Sequence, residues 1–356
     1  MSLVVKQTVS YGAFGRDHNS LSSWIASLTN ANYAPGSIAI AELYNDADFD
    51  EAGLNVTAES NIDGVIITAA DGQWHEGDPT TGVVFKPSGP FGGSILTMGP
   101  GCPYLLERIR FDAGSNCTAS FAGLVRQNTA IASTSLTQTQ WMDRLIITGG
   151  TSANAARALR GIDAGGRPLT VSNSLVYNLI SNGAASSSPA WGIGNDDKLC
   201  CFNCTVDNVD WQNGSSINYG IGYQAGATTA FFKGCISSRI SGAGSQAINS
   251  VANIDNCATD DATGDIPSVT IGDEFTDHLN GDYTLKAGAA SAGSADEIDP
   301  HPLYIRRDLT GQVRAAGAWD VGALNNLAGY VSAGGGGGST LIVEDDEHGK
   351  ATRNTA

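Results

Sequence analysis

Between residues 158 and 260 short apolar runs alternate with small polar residues, and the alternation recurs in register. One pattern reads R-G-I-D, W-G-I-G, Y-G-I-G and Q-A-I-N, centred on Ile162, Ile193, Ile221 and Ile248. A second reads VSNSLVYNL, CFNCTVDNV, FKGCISSRI and IDNCATDD. It aligns Ser174, Cys204, Cys235 and Cys257, preceded by Asn173, Asn203, Gly234 and Asn256. Successive Ile positions lie 31, 28 and 27 residues apart, and successive Ser/Cys positions 30, 31 and 22. Periods of this size, built from short strands, mark a solenoid. Parallel stacking of the coils would place equivalent residues about 4.8 Å apart. Asn or Gly before each aligned Ser/Cys position fits a left-handed corner. Insertions then fall in loops, as at 181–190.

Upstream the coils are less regular, but strand candidates continue. They are Ile38–Leu43, Leu54–Ala58, Val65–Thr68, Val83–Lys86, Ile95–Met98, Leu105–Phe111, Leu124–Gln127 and Leu145–Thr148. In L-L-E-R-I-R-F, alternation sets Arg108 and Arg110 opposite Ile109 and Phe111. Ser20–Leu28 predicts a helix with Leu21, Trp24, Ile25 and Leu28 on one face, suited to cover an open strand edge. The expected fold is all-β: a right-handed parallel β-helix over 36–326. A capping helix lies in the N-terminal segment 1–35, a Gly-rich hinge spans 327–338, and a flexible tail occupies 339–356.

Composition agrees, with 45 Gly, 41% hydrophobic and only 15% charged residues. The formal charge of −17 opposes nucleic-acid binding. No stretch approaches a membrane span. The opening, MSLVVKQTVSYGAFGRD, has no apolar run of signal-peptide length, so synthesis in a host cytoplasm without export by that route is expected. Seven cysteines without such a signal point to reduced thiols. Cys201-Phe-Asn-Cys204 lacks the second ligand pair of a zinc site. Neither metal nor cofactor is expected, and the aligned cysteines read as a core ladder.

Two segments carry a resemblance. The opening NSLSSWIASLTN, SIAIAELYND and GVIITAADGQWHEGD is similar to the first coils of β-helix proteins common in phage and bacterial genomes. Residues 282–325 resemble the closing segment of right-handed parallel β-helix (pectin-lyase-like) proteins. Asp282, Tyr283, Leu285, Asp308, Gly311, Arg314, Asp320, Gly322 and Ala323 match that pattern. The resemblance implies architecture rather than a reaction, and it implies that the helix is complete near Leu324. Beyond Gly334–Gly338, LIVEDDEHGKA resembles the opening of phage head–tail connector proteins. Leu341, Ile342 and Val343 are candidate attachment residues, able to add a strand to a partner's sheet edge.

No catalytic constellation assembles in the sequence. The Asp-Asp pair Asp196–Asp197 is the one counterpart of polygalacturonase-type motifs in the coils, and no His occurs between His75 and His278. Asp163, Asp207, Asp210 and Asp255 read as solvated turn carboxylates. Tyr177, Trp191, Trp211 and Tyr219 form an aromatic cluster able to contact a sugar or a protein. Alignment of Tyr177 with Asp207 predicts a solvent-facing position. The expected function is a non-enzymatic virion protein of a tailed phage, a capsid decoration or a fibre- or spike-like component. Its partners would be capsid or other virion proteins and further copies of itself, with a homotrimer the form known for such spikes. The alternative is a tailspike-type protein that binds or depolymerises a host-surface glycan, with Asp196 and Asp197 catalytic. A bacterial surface protein is the third reading.

Overall fold

Six successive coils turn one corner at a single residue in the left-handed region. Arg108, Arg144, Asn173, Asn203, Gly234 and Asn256 have φ of 63, 49, 47, 52, 64 and 54°. Each directly follows the last residue of a strand of one sheet, and after one further buried residue a strand of the next begins. Gly and Asn adopt this conformation at little cost, whereas Arg needs compensation from its side chain. This computed structural model describes residues 3–12, 15–118, 122–127, 140–152, 159–165, 168–181, 190–195, 198–211, 218–223, 229–242, 244–249, 253–266, 268–295, 307–314 and 319–324.

The chain is a right-handed parallel β-helix. Among the described residues sheet A has nine strands, from β1 (Val4–Val9) to Asn253–Asp255. Sheets B and C have seven each among the same residues, running from Val84–Phe85 to Ala258–Thr259 and from Leu54–Val56 to Gln246–Ile248. One full coil comprises Leu169–Ser172 in A, Leu175–Ser181 in B and Trp191–Asn195 in C. Its strands pair in parallel with those of the coils before and after.

The interior consists of ladders. The Ile column is confirmed, Ile162 pairing with Ile193, Ile193 with Ile221 and Ile221 with Ile248; Val125, Leu96 and Leu54 continue it upstream. In sheet A the column runs Ala41, Ile67, Leu106, Met142, Val171, Cys201, Phe232. Phe49, Phe85 and Phe111 stack with centroids 4.7 and 5.3 Å apart. Cys204, Cys235 and Cys257 are free and fully buried, their thiols donating to the carbonyls of Val171, Cys201 and Phe232. Burial pushes all three thiols well above their ordinary pKa, which keeps them in the unreactive protonated form. Ile109 and Leu145 occupy the same corner in earlier coils, where a larger side chain fills the place of Ser or Cys.

Three boundaries differ from expectation. The solenoid starts at β1, which pairs with Ser37–Leu43 over its whole length, rather than at residue 36. L-L-E-R-I-R-F is two strands, Tyr104–Glu107 and Arg110–Asp112, because Arg108 turns the corner between sheets. The coils end at Thr259 and not near Leu324. Beyond Thr259 the chain forms a strap that doubles back over the outer face of sheet B.

That strap accounts for the closing motif. It buries Phe275, Tyr283, Leu309, Trp319, Val321 and Ala323 against Ile146, Leu175, Tyr177 and Ile236, forming a second core outside the solenoid. Gly322 N–H donates to the Gly234 carbonyl at 2.7 Å, and Ala323 N–H to Thr205 Oγ1 at 2.9 Å. Arg314 ties the strap to itself, donating to the carbonyls of Asp320 and Gly322 at 2.8 Å each. At Gly311 (φ 79°) a Cβ would lie 2.8 Å from the Trp74 ring, so a residue without a side chain is required there. In the third coil residues 70–83 replace the tight corner and climb outside the next coils. His75 Nε2 there donates to the Arg144 carbonyl at 2.8 Å, while Gly77 N–H donates to Nδ1 at 3.0 Å.

Candidate functional site

The expected aromatic contact cluster is mostly interior. Tyr177 does align with Asp207, but neither faces solvent, because Tyr283 of the strap packs 5.4 Å from the Tyr177 ring. Trp211 ends its strand inside the main core. Trp191 is fully buried, its ring folded across Gly194 and covered by the Arg160 guanidinium 3.6 Å from its centroid. Tyr219 stands beside Trp191 in the same column, and of the four it is the one left half-buried. Asp196, Asp197 and Leu341–Val343 lie outside the described residues.

Several carboxylates read as solvated turns instead hold coils together. Asp207 has no exposed surface. It accepts from Ser238 Oγ (3.0 Å), Arg239 Nε (2.8 Å) and the Tyr283 hydroxyl (2.6 Å), and it also pairs with Arg239 Nη2. Burial, then the Asp207 charge, raises the Tyr283 pKa, so the hydroxyl stays a donor. Asp163 pairs with Arg160 at 2.9 Å and Arg126 at 3.6 Å. Glu107 and Asp143 both bind Arg144 at 2.6 Å, and Asp143 also accepts from Ser172 and Asn173 of the next coil. These networks compensate the left-handed Arg144 and couple neighbouring coils. Asp210 is half-buried, and Asp255 forms a 2.7 Å pair with Lys233. Among the described residues no group of His, Cys, Asp and Glu is placed to hold a metal ion.

The two ends of the solenoid are finished differently. At the C-terminal end, side chains accept the N–H groups that a next coil would have taken. Asp261 receives Ala247 N–H at 2.7 Å and Thr263 receives Ile248 N–H at 3.0 Å. Asp265 receives Asn256 N–H at 2.6 Å and Cys257 N–H at 2.5 Å. At the N-terminal end the helix α1 (Leu21–Ala26) buries Leu21 and Trp24 and lies against Leu54–Val56, closing sheet C. Ser20 caps its Ser23 N–H, and the Glu51 carboxylate accepts from Leu21 and Ser22 N–H at 2.8 and 3.0 Å.

Among the described residues no strand pairs with the outer side of sheet A at this end. The Leu3 and Val9 carbonyls accept from Ile38 and Tyr44, so the odd-numbered residues of β1 face the neighbouring strand. Thr8 faces outward, its N–H donating to Asp17 at 2.7 Å and its carbonyl accepting from His18 N–H at 3.0 Å. Strand alternation gives Val4 and Lys6 the same outward direction. Among the described residues no backbone partner covers them. Leu3 and Val4 are 53% and 57% exposed, and they are two of the four large hydrophobic residues exposed in the described chain. An uncovered edge flanked by exposed apolar side chains is a template for strand addition. Signals for it were present in V-V-K-Q-T-V, whose alternation reads as a strand. The Asp17–His18 closure that limits the open part to Leu3–Gln7 had no local signal.

A second concave feature lies outside the third coil, where Asn45, Gln73, Trp74, Glu76, Asp78 and Thr81 line a groove of about 490 Å³. No protein-family model matches the chain, and no curated protein matches it.

Proposed function

We propose that this chain is a non-enzymatic structural component of a tailed-phage particle, a rigid rod that decorates the head or builds a fibre or spike. It docks through the open β1 edge. The carrying observation is the asymmetry of its ends. Four N–H groups of the last coils are satisfied by Asp261, Thr263 and Asp265, while Val4 and Lys6 present theirs outward beside exposed Leu3 and Val4. A rod closed at one end and adhesive at the other suits attachment to a larger body. The phage assignment rests on the resemblance of the opening and of the tail, and the spike-like resemblance supports a homo-oligomer.

Quantitative mass spectrometry of purified particles tests this reading. The expected result is the intact chain at a fixed copy number per particle, with no release of reducing ends from host polysaccharide. Absence from particles, or depolymerase activity of the purified chain, would overturn it. The groove beside Trp74 favours a second reading, binding of a host-surface glycan, since it joins an indole to amide and carboxylate acceptors.

A further inference from the structure

Strand alternation sends every second side chain of sheet A to the outer face, where strand pairing stacks them in columns parallel to the axis. One column is polar, and its carboxylates hold cations. Glu42 pairs with Lys6 at 2.6 Å, Glu107 and Asp143 with Arg144 at 2.6 Å each, and Asp255 with Lys233 at 2.7 Å. The column beside it, between Lys6 and Asn253, runs from Ile40 through Ile66, Leu105, Trp141, Thr170 and Cys200 to Phe231. Apart from Thr170 it is apolar, although it lies on the solvent side of the sheet. The strap reaches one margin of this face, where Leu105 and Phe202 pack against the second core. Ile40, Cys200 and Phe231 are half-buried and belong to neither core. A contiguous apolar stripe with a polar rim marks an interaction surface.

We infer that the outer face of sheet A packs against the same face of a second copy of this chain. The inference rests on the homo-oligomer part of the proposed function and names its surface, and it leaves the backbone edge of β1 free.

Three features select a second copy. The stripe is a straight ladder with a repeat of ~4.8 Å, and another solenoid presents a ridge of the same repeat. The nine described strands make the face about 38 Å long, and at about 15 Å wide two such faces together remove about 1,200 Å² from water. That is the lower end of the range for specific interfaces. Chains of formal charge −17 repel one another, but the polar column beside the stripe has its carboxylates already paired, so contact there sets no bare carboxylates of that column together.

Cys200 is a native reporter, because it stands in the stripe and is the one cysteine of seven that is not buried. Analytical ultracentrifugation of the full-length chain should show a two-chain species that dissociates on dilution. Phe231→Asp and Ile40→Asp should each sediment as single chains. A maleimide should modify Cys200 about tenfold more slowly in the associated parent than in either variant. Cys204 and Cys235 should stay unmodified in all three proteins, which shows that the variants are folded. A parent that sediments as a single chain at every concentration would overturn the inference and the homo-oligomer reading together. Association that leaves Cys200 reacting at the variants' rate would overturn the inference alone, by placing the contact on another surface. A three-chain species would also overturn it, because a face that pairs with itself closes on a single partner. Incorporation of Lys6→Pro into particles tests the β1 edge separately.

Discussion

Asp207→Ala is expected to destabilise the folded chain by about 3–5 kcal/mol, the range seen when one partner of a buried ion pair is removed. The carboxylate is the point where a coil and the strap are fastened together. It is fully buried and receives Ser238 and Arg239 from the next coil and Tyr283 from the strap. Removal leaves the Tyr283 and Ser238 hydroxyls without their acceptor in the second core, each costing about 1–3 kcal/mol. Arg239, whose side chain is 28% exposed, can turn toward water and recover part of the loss. Tyr283→Phe isolates the strap's share and should cost about 1.5–3 kcal/mol, as for a hydrogen bond to a charged group. Urea unfolding of the two variants checks the magnitudes, and limited proteolysis checks the location. The strap of Asp207→Ala should be cleaved before the coils. A loss under about 1 kcal/mol for Asp207→Ala would show that apolar packing alone holds the strap.

The second large effect is on acid stability and runs through His75. Burial, opposed by its bond to the Arg144 carbonyl, lowers the imidazole pKa to about 3. In the unfolded chain it takes a proton near the ordinary value of about 6.5. Between those values the unfolded state binds the extra proton, so stability falls as pH falls and is fully present only above about 6.5. The loss attributable to this one group is on the order of 4–5 kcal/mol by the bottom of the window. His75→Gln keeps a donor for the Arg144 carbonyl and removes the titration. Its unfolding free energy should therefore decline less steeply with acid than that of the parent chain. Parallel slopes for the two proteins would show that His75 is not the group responsible.

The middle coils were legible because the same residue types recur at the same places. Ile162, Ile193, Ile221 and Ile248 pair as the spacing requires, and Asn173, Asn203, Gly234 and Asn256 hold the corner. The earlier coils use the same geometry with different chemistry. Arg108 and Arg144 take the left-handed corner, supported by the carboxylates of Asp71, Glu107 and Asp143. No propensity scale marks an arginine for that conformation, so L-L-E-R-I-R-F reads as one strand. The strap was recognisable as a motif but not as a location. Asp207 and Tyr283 are 76 residues apart, and nothing periodic connects them. Tyr177 was therefore correctly aligned yet wrongly exposed, since its cover comes from outside the repeat. The same blindness affects Trp191, whose cover includes the side chain of Arg160 in the preceding coil.

The β1 edge is the element on which the functional account stands, and Lys6→Pro addresses it with little cost to the fold. The Lys6 N–H points away from the Ser37–Leu43 strand, so proline removes an outward donor and no ladder bond. The variant also loses the exposed Lys6–Glu42 pair, worth about 0–1 kcal/mol, for which Lys6→Ala is the control. Copy number on purified particles, measured by quantitative mass spectrometry in a competition with the parent chain, is the decisive quantity. The account predicts that Lys6→Pro falls about tenfold, the equivalent of ~1.4 kcal/mol, while Lys6→Ala stays near the parent level. Lys6→Pro occupying particles at the full parental copy number would contradict it.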